Sequence, residues 1–139
     1  MWGGTPYYNI NTDTAIKYLD FMTKEELANV FCAADVFVLP TREDVWGLVV
    51  NEAMCYGCPV VTTDKCGAGL QMVEDGVNGY IFESENVSQL KHILQSFLSI
   101  EDTKPLEKAA LATAHKYTVE EMAKRTSEII EEFINSEHK

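Results

Sequence analysis

The stretch Asp35-Val-Phe-Val-Leu-Pro-Thr-Arg-Glu-Asp-Val-Trp-Gly-Leu-Val-Val-Asn-Glu-Ala-Met-Cys-Tyr-Gly-Cys-Pro-Val-Val-Thr-Thr63 reads as strand, loop, helix and strand in immediate succession. Residues 35–40 form an apolar run closed by Pro40, which suits a strand covered on both faces. Gly47 to Tyr56 carries a helical pattern ended by Gly57, a residue that tolerates the left-handed C′ conformation. Pro59 then opens a second, β-branched strand to Thr63, a position at which proline costs no ladder bond. A strand, a crossover helix and a second strand make a βαβ unit, and βαβ units make a parallel sheet.

Working outward, Gly79-Tyr-Ile-Phe82 follows the turn Asp75-Gly-Val-Asn-Gly79 and reads as a third strand. Residues 16–19 are a weaker fourth candidate. Thr23 and Glu26 form a capping box ahead of Leu27, Val30 and Phe31. From Asn86, the apolar set Val87, Leu90, Ile93, Leu94, Phe97 and Leu98 marks another helix, and a shorter one follows Pro105. A final helix over about 118–136 opens with a second capping box, Thr118 to Glu121. Its apolar face holds Val119, Met122, Ala123, Ile130, Phe133 and Ile134, while Glu120 and Lys124, and Glu121 and Arg125, lie at i,i+4. The expected architecture is a Rossmann-like α/β layer, a parallel sheet with helices on both faces. The whole of 1–139 reads as one domain with a turn-rich lead over 1–14.

Composition narrows the function. A net charge of −11 in 139 residues argues against a nucleic-acid partner, which would meet a basic face. No apolar stretch is long enough to span a bilayer and the first residues lack a signal-peptide pattern, so a cytoplasmic location is expected. Cys55 and Cys58 have C-x-x-C spacing, but a structural zinc site ordinarily takes two such pairs. All four cysteines are therefore read as small buried hydrophobes, and no metal site is expected.

Ligands of open α/β sheets bind outside the carboxyl ends of the strands. The loop Thr41–Trp46 leaves such an end and runs straight into a helix. The amides of Gly47, Leu48 and Val49 in the first helical turn lack intrahelical acceptors, and with the helix dipole they suit a phosphate. Glu52, a little over one turn on, has a carboxylate able to take both hydroxyls of a vicinal diol such as a ribose. Phosphate and ribose together describe a nucleoside diphosphate, although a helical glutamate is ordinarily just a solvated residue.

The stretch from Val38 to Met54, continued by Tyr56-Gly-Cys-Pro-Val-Val61, closely resembles the signature of family-four, or group 1, glycosyltransferases. That signature is two glutamates eight positions apart within E-x-(F/W)-G-L-x-x-x-E-A-M-x-x-G-x-P-V-V. Residues 63–70 and 74–80 resemble the loops that follow it. The resemblance implies retaining, metal-independent transfer from a nucleotide-diphosphate sugar on a GT-B fold of two Rossmann-like domains. It places the donor ribose on Glu52 and the diphosphate region on the Gly47-Leu48-Val49 backbone. The first motif glutamate is replaced here: Asp44 stands in register, with Glu43 just before it, and either is the candidate carboxylate near the donor sugar.

The resemblance also implies two missing parts: the acceptor-side domain that comes first, and the Arg and Lys that neutralise the donor phosphates. Arg42 and Lys65 lie in loops of the ligand edge but do not occupy the family's positions for that pair. An acidic chain of this kind repels an anionic donor at long range, so weak donor binding and no catalysis are expected of these residues alone. The implied partners are the nucleotide sugar and the acceptor domain, with membrane association only through the parent. The terminal helix is left to dimerise or to fold onto its own domain. Two other readings remain open on the sequence: a nucleotide-sugar epimerase of the same fold, and a receiver-like α/β signalling module using Glu43 and Asp44 for Mg²⁺.

Overall fold

The computed structural model describes residues 19–137. The turn-rich lead and the candidate strand at 16–18 lie outside these residues, and Leu19, which is described, belongs to no strand. Helix α1 (Lys24–Ala33) is followed by β1 (Phe37–Leu39), α2 (Leu48–Cys55), β2 (Val60–Thr63), α3 (Gly67–Met72) and β3 (Gly79–Phe82). Helices α4 (Val87–Phe97), α5 (Lys104–Ala114) and α6 (Val119–Glu137) complete the order, with a 3-10 turn at His115–Tyr117 before α6.

The three strands form a parallel sheet in the order β1-β2-β3. Val38 pairs with Val61, and Val61 with Tyr80. Alternation along β2 divides the core. Val60 faces a cluster with Phe31, Val50, Met54, Met72 and Ala110, which draws on α1, α2, α3 and α5. Val61 faces Phe82, Phe97 and Leu106, with Leu90 and Ile93 of α4 packed against them. Helices therefore cover both faces, as a fully buried central strand requires.

Local chemistry accounts for most element ends. The capping box at Thr23 closes in both directions: Glu26 Oε2 accepts from the Thr23 amide at 2.8 Å, and Thr23 Oγ1 from the Glu26 amide at 3.3 Å. Asn86 caps α4 by accepting from the Gln89 amide at 3.0 Å. Thr118 Oγ1 accepts from the Glu121 amide at 3.2 Å. Gly57 ends α2 at φ 76°, the left-handed conformation anticipated for it.

Several expectations need correction. Helix α3 has no counterpart in the sequence reading, because two glycines in six residues are poor helix formers. They are there for packing: a Cβ on Gly67 would strike the Val45 carbonyl, and one on Gly69 the Thr62 methyl. Helix α5 begins before Pro105, which sits in its first turn where a missing N–H is harmless, and at 11 residues it is as long as α4. Val87, the first residue of α4, and Leu98, its C-cap, belong to the apolar set that marks the helix but are exposed.

Asn78 in the turn before β3 is almost fully buried. Its Nδ2 donates to the Met72 carbonyl and to Thr113 Oγ1, each at 2.9 Å, while its Oδ1 accepts from the Glu74 amide at 2.8 Å. One side chain thereby ties α3, β3 and α5 together.

Helix α6 does not fold back onto the domain. All of its apolar stripe stands in solvent among the described residues, with Val119 71% and Ile134 50% exposed as the extremes. The i,i+4 spacing of Glu120 with Lys124 and Glu121 with Arg125 does not mature into ion pairs among the described residues. No helix there is long and apolar enough to cross a membrane.

Candidate functional site

Because all three strands are parallel, the loops after Leu39, Thr63 and Phe82 emerge on one edge, and hydrogen bonds stitch them together. The Thr41 carbonyl accepts from Thr63 Oγ1 at 2.9 Å and from Ser84 Oγ at 3.3 Å. Asp64 Oδ1 accepts from the Ser84 amide at 2.9 Å. The Asp44 amide donates to the Lys65 carbonyl at 3.0 Å, and the Gly67 amide to the Asp44 carbonyl at 3.2 Å. The Ala68 amide donates to the Trp46 carbonyl at 2.6 Å, which the Cys66 thiol also reaches at 3.4 Å. Loop 41–47 is thus zipped onto the start of α3.

Gly47 is not the first residue of the helix but its N-cap, in the left-handed region at φ 87° and ψ 59°. The chain must turn sharply to leave the zipped loop, and a Cβ at Gly47 would lie 2.6 Å from Cys66 Sγ. The Val50 amide is taken by the Gly47 carbonyl at 2.9 Å, so the helix closes early. The amides of Gly47, Leu48 and Val49 find no acceptor among the described residues. The head of α2 keeps the free donors expected of it, one residue out of register.

Glu52 is exposed on α2. It lines a groove of about 400 Å³ between α1 and α2, together with Lys24, Phe31, Leu48, Asn51 and Tyr56. Leu48 and Asn51 also border a second groove of about 650 Å³, which runs from Trp46 to Lys116, Lys124 and Arg125 at the start of α6. The exposed face of α2 is therefore flanked by cations from two other helices. Sequence reading missed Lys24, Lys116, Lys124 and Arg125, because nothing in its local pattern shows that they border the same grooves as Leu48 and Asn51 of α2. Trp46 is partly exposed at this groove.

The remaining candidates are placed as follows. Asp44 is half-buried, and its Oδ1 accepts from the Trp46 amide at 3.1 Å, with Oδ2 close to Gly47. Its carboxylate thus holds the loop's turn at the head of α2. Glu43 is exposed, and its backbone carbonyl accepts from Thr41 Oγ1 at 3.0 Å. Arg42 pairs with Glu85 at 2.9 Å, and it borders a separate groove beside Phe82 and Leu90. Lys65 pairs with Asp64 at 3.0 Å, and this contact with the Ser84 amide holds the Asp64 carboxyl below the usual range. Neither Arg42 nor Lys65 joins the Glu52 groove.

All four cysteines are free thiols, and only Cys58 and Cys66 are buried as expected; Cys32 and Cys55 are exposed. Burial pushes the Cys58 thiol up to about 11. Cys55 lines the groove beside Glu52, and partial burial, then the Glu52 carboxylate, raise it. Among the described residues no three His, Cys, Asp or Glu side chains come together as a metal cluster.

Comparison with known proteins gives the family and the fold. The family described as "Glycosyl transferases group 1" matches residues 7–132. D-inositol 3-phosphate glycosyltransferase of Corynebacterium kroppenstedtii is 28% identical over 91% of this chain and 28% of its own length. A sulfoquinovosyl transferase of Arabidopsis thaliana is 34% identical over 67% of this chain and 19% of its own. Among solved structures, sucrose-phosphate synthase from Thermosynechococcus elongatus superposes with a TM-score of 0.71 at 22% identity, covering 86% of this chain and 30% of that one. HepE from Anabaena, solved in complex with UDP, gives 0.65 at 26% identity, over 74% of this chain and 29% of that one. The chain spans less than a third of the length of each of these relatives. A receiver-like module no longer competes, for the match runs through sheet, loops and helices alike: the chain belongs to the group 1 glycosyltransferases and carries the Rossmann-like layer of their GT-B fold.

Proposed function

We propose that this chain is the donor-binding part of a retaining glycosyltransferase and takes a nucleoside-diphosphate sugar across the head of α2. The ribose hydroxyls sit on Glu52, the diphosphate on the amides of Leu48 and Val49, and the sugar points towards Asp44 and Glu43. The observation that carries this reading is the head of α2, where the amides of Gly47, Leu48 and Val49 have no acceptor among the described residues, followed one turn on by an exposed Glu52 that borders a groove together with Leu48. Oriented amides stabilise the charge that grows on a departing diphosphate, and this electrostatic contribution is the protein's main one in such a transfer. No metal is needed for that role. The acceptor, whose hydroxyl receives the glycosyl group, is held by a domain beyond this chain, in polysaccharide assembly. Four free thiols suit a reducing cytoplasm.

These residues alone bind donor weakly and transfer nothing. Arg42 and Lys65 are each held by a neighbouring carboxylate, and a net charge of −11 opposes an anionic ligand. Titration of isotope-labelled protein with UDP- and GDP-sugars tests both halves of the proposal. Amide shifts gathered at Leu48, Val49 and Glu52, with dissociation constants of about a millimolar, support it. Shifts gathered elsewhere, or micromolar affinity retained in Glu52→Gln, reject it. Cys55 gives a second reading: bound nucleotide should slow its alkylation while leaving Cys32 unaffected. In the free protein, Glu52→Gln should speed that alkylation, because removing the carboxylate lowers the thiol's pKa and raises the thiolate fraction.

A further inference from the structure

The groove of about 650 Å³ between α2 and α6 holds positive charge that the head of α2 otherwise lacks. Lys116, Lys124 and Arg125 line it, three of the chain's 11 lysines and arginines in an acidic protein, so cations are gathered here rather than spread evenly. Glu121 and Glu128 line it too, yet none of the three cations forms an ion pair among the described residues. Arg42 and Lys65, by contrast, are each engaged by a carboxylate. Two hydrogen bonds fix the root of α6 beside α2. Asn51 Nδ2 donates to the Tyr117 carbonyl at 3.4 Å, and the Tyr117 hydroxyl donates to the Gln71 carbonyl at 2.8 Å. Helix α6 starts two residues after Tyr117, so Lys124 and Arg125 lie within its first two turns, close to that anchor.

Trp46 and Leu48, on either side of Gly47, give the same groove an apolar wall. The Leu48 amide is one of the donors without an acceptor at the head of α2. We infer that the groove between α2 and α6 is an anion subsite, in which Lys124 and Arg125 take the phosphates of a diphosphate seated beside Leu48. That this diphosphate belongs to a sugar donor rests on the nucleotide-sugar reading, whereas the subsite rests on the groove and its cations. Arginine's planar fork grips two phosphate oxygens at once, and lysine adds a point charge on a flexible stem. A low-dielectric wall on one side strengthens both contacts. Glu121 and Glu128 oppose the ligand, and the cations are exposed to salt, so the subsite is a weak one. Positive charge for the phosphates then comes from the last helix rather than from the loops at the strand ends.

Amide-shift titration of the 139-residue chain with UDP and with inorganic pyrophosphate tests the subsite. Lys124→Gln with Arg125→Gln should weaken the binding of both probes by about fivefold. Lys91→Gln with Lys108→Gln removes the same net charge from α4 and α5, where neither residue lines the groove, and should change affinity by less than about twofold. Glu121→Gln with Glu128→Gln should tighten both probes by about fivefold, the opposite sign. Equal weakening by the Lys124 and Lys91 pairs would reveal only the long-range field and overturns the inference. Shifts from UDP at Leu48, Val49 and Glu52, with affinity unchanged in the Lys124 pair, overturn it as well and leave the nucleotide-sugar reading standing. Pyrophosphate binding that is lost in the Lys124 pair, with no shift from UDP at Glu52, supports the subsite and rejects the nucleotide reading instead. No shift from either probe overturns both.

Discussion

Gly47 joins the zipped loop to the head of α2, and replacing it with alanine combines two separable penalties. At φ 87° an L-residue is strained, by about 1–2 kcal/mol. The new methyl would also lie 2.6 Å from Cys66 Sγ, which is itself fixed in the core against the Trp46 carbonyl. Overpacking of that kind costs about 1–3 kcal/mol, so Gly47→Ala should destabilise the domain by about 2–5 kcal/mol in all. Since domains hold about 5–15 kcal/mol, the variant still folds. Urea unfolding followed by far-ultraviolet circular dichroism measures the loss, as a drop of more than about 1 M in midpoint. A double-mutant cycle with Cys66→Ala then separates the two contributions. Without the thiol only the backbone strain remains, so Gly47→Ala should cost about 1–2 kcal/mol in that background. An equal cost in both backgrounds would refute the packing argument, and a negligible cost in both would refute the geometry of the whole loop-to-helix junction.

Two further outcomes follow from buried groups. Asn78→Ala removes three hydrogen bonds from the turn that links α3, β3 and α5 and should lower stability by about 3 kcal/mol, read by the same unfolding assay. Asn78→Asp should rescue little, because it keeps the acceptor for the Glu74 amide but turns a carboxylate oxygen towards the Met72 carbonyl. The Cys58 thiol rises from 9.0 to about 11 on folding, so the unfolded chain loses its proton first. Stability from this group is complete below pH 9 and should fall as pH climbs from 9 towards 11, and Cys58→Ser should flatten that slope.

What could be read from the sequence was local, and what could not was contact between distant segments. The capping oxygens of Thr23 and Asn86 act within three residues, so composition alone places the starts of α1 and α4. The run from Asp35 to Thr63 carries its own punctuation in Pro40, Gly57 and Pro59, and it fixes the parallel sheet. Glu52 likewise follows from its spacing after Gly47. The zipper between residues 44–46 and 65–68 joins two loops through backbone groups, which leave no trace in side-chain pattern. That is why Gly47 moves from helix to cap, and why α3 forms despite Gly67 and Gly69. Arg42 and Lys65 bear the right charge on the right edge, yet each is drawn to a nearer acid, Glu85 or Asp64, that sequence reading did not weigh against a ligand. Cys32 and Cys55 were misjudged for a different reason: a helix turns any residue by a fixed angle, and theirs faces outward.

The shared acceptor at Thr41 has a kinetic corollary. Two hydroxyls from neighbouring strand ends converge on its carbonyl, so the first residues of the loop are immobilised before anything docks. Ordering a backbone residue costs on the order of 1–2 kcal/mol, and here folding has already met that charge. A molecule arriving at the rim meets a finished mould, and its capture should be governed by collision and electrostatic approach rather than by a slow closing step.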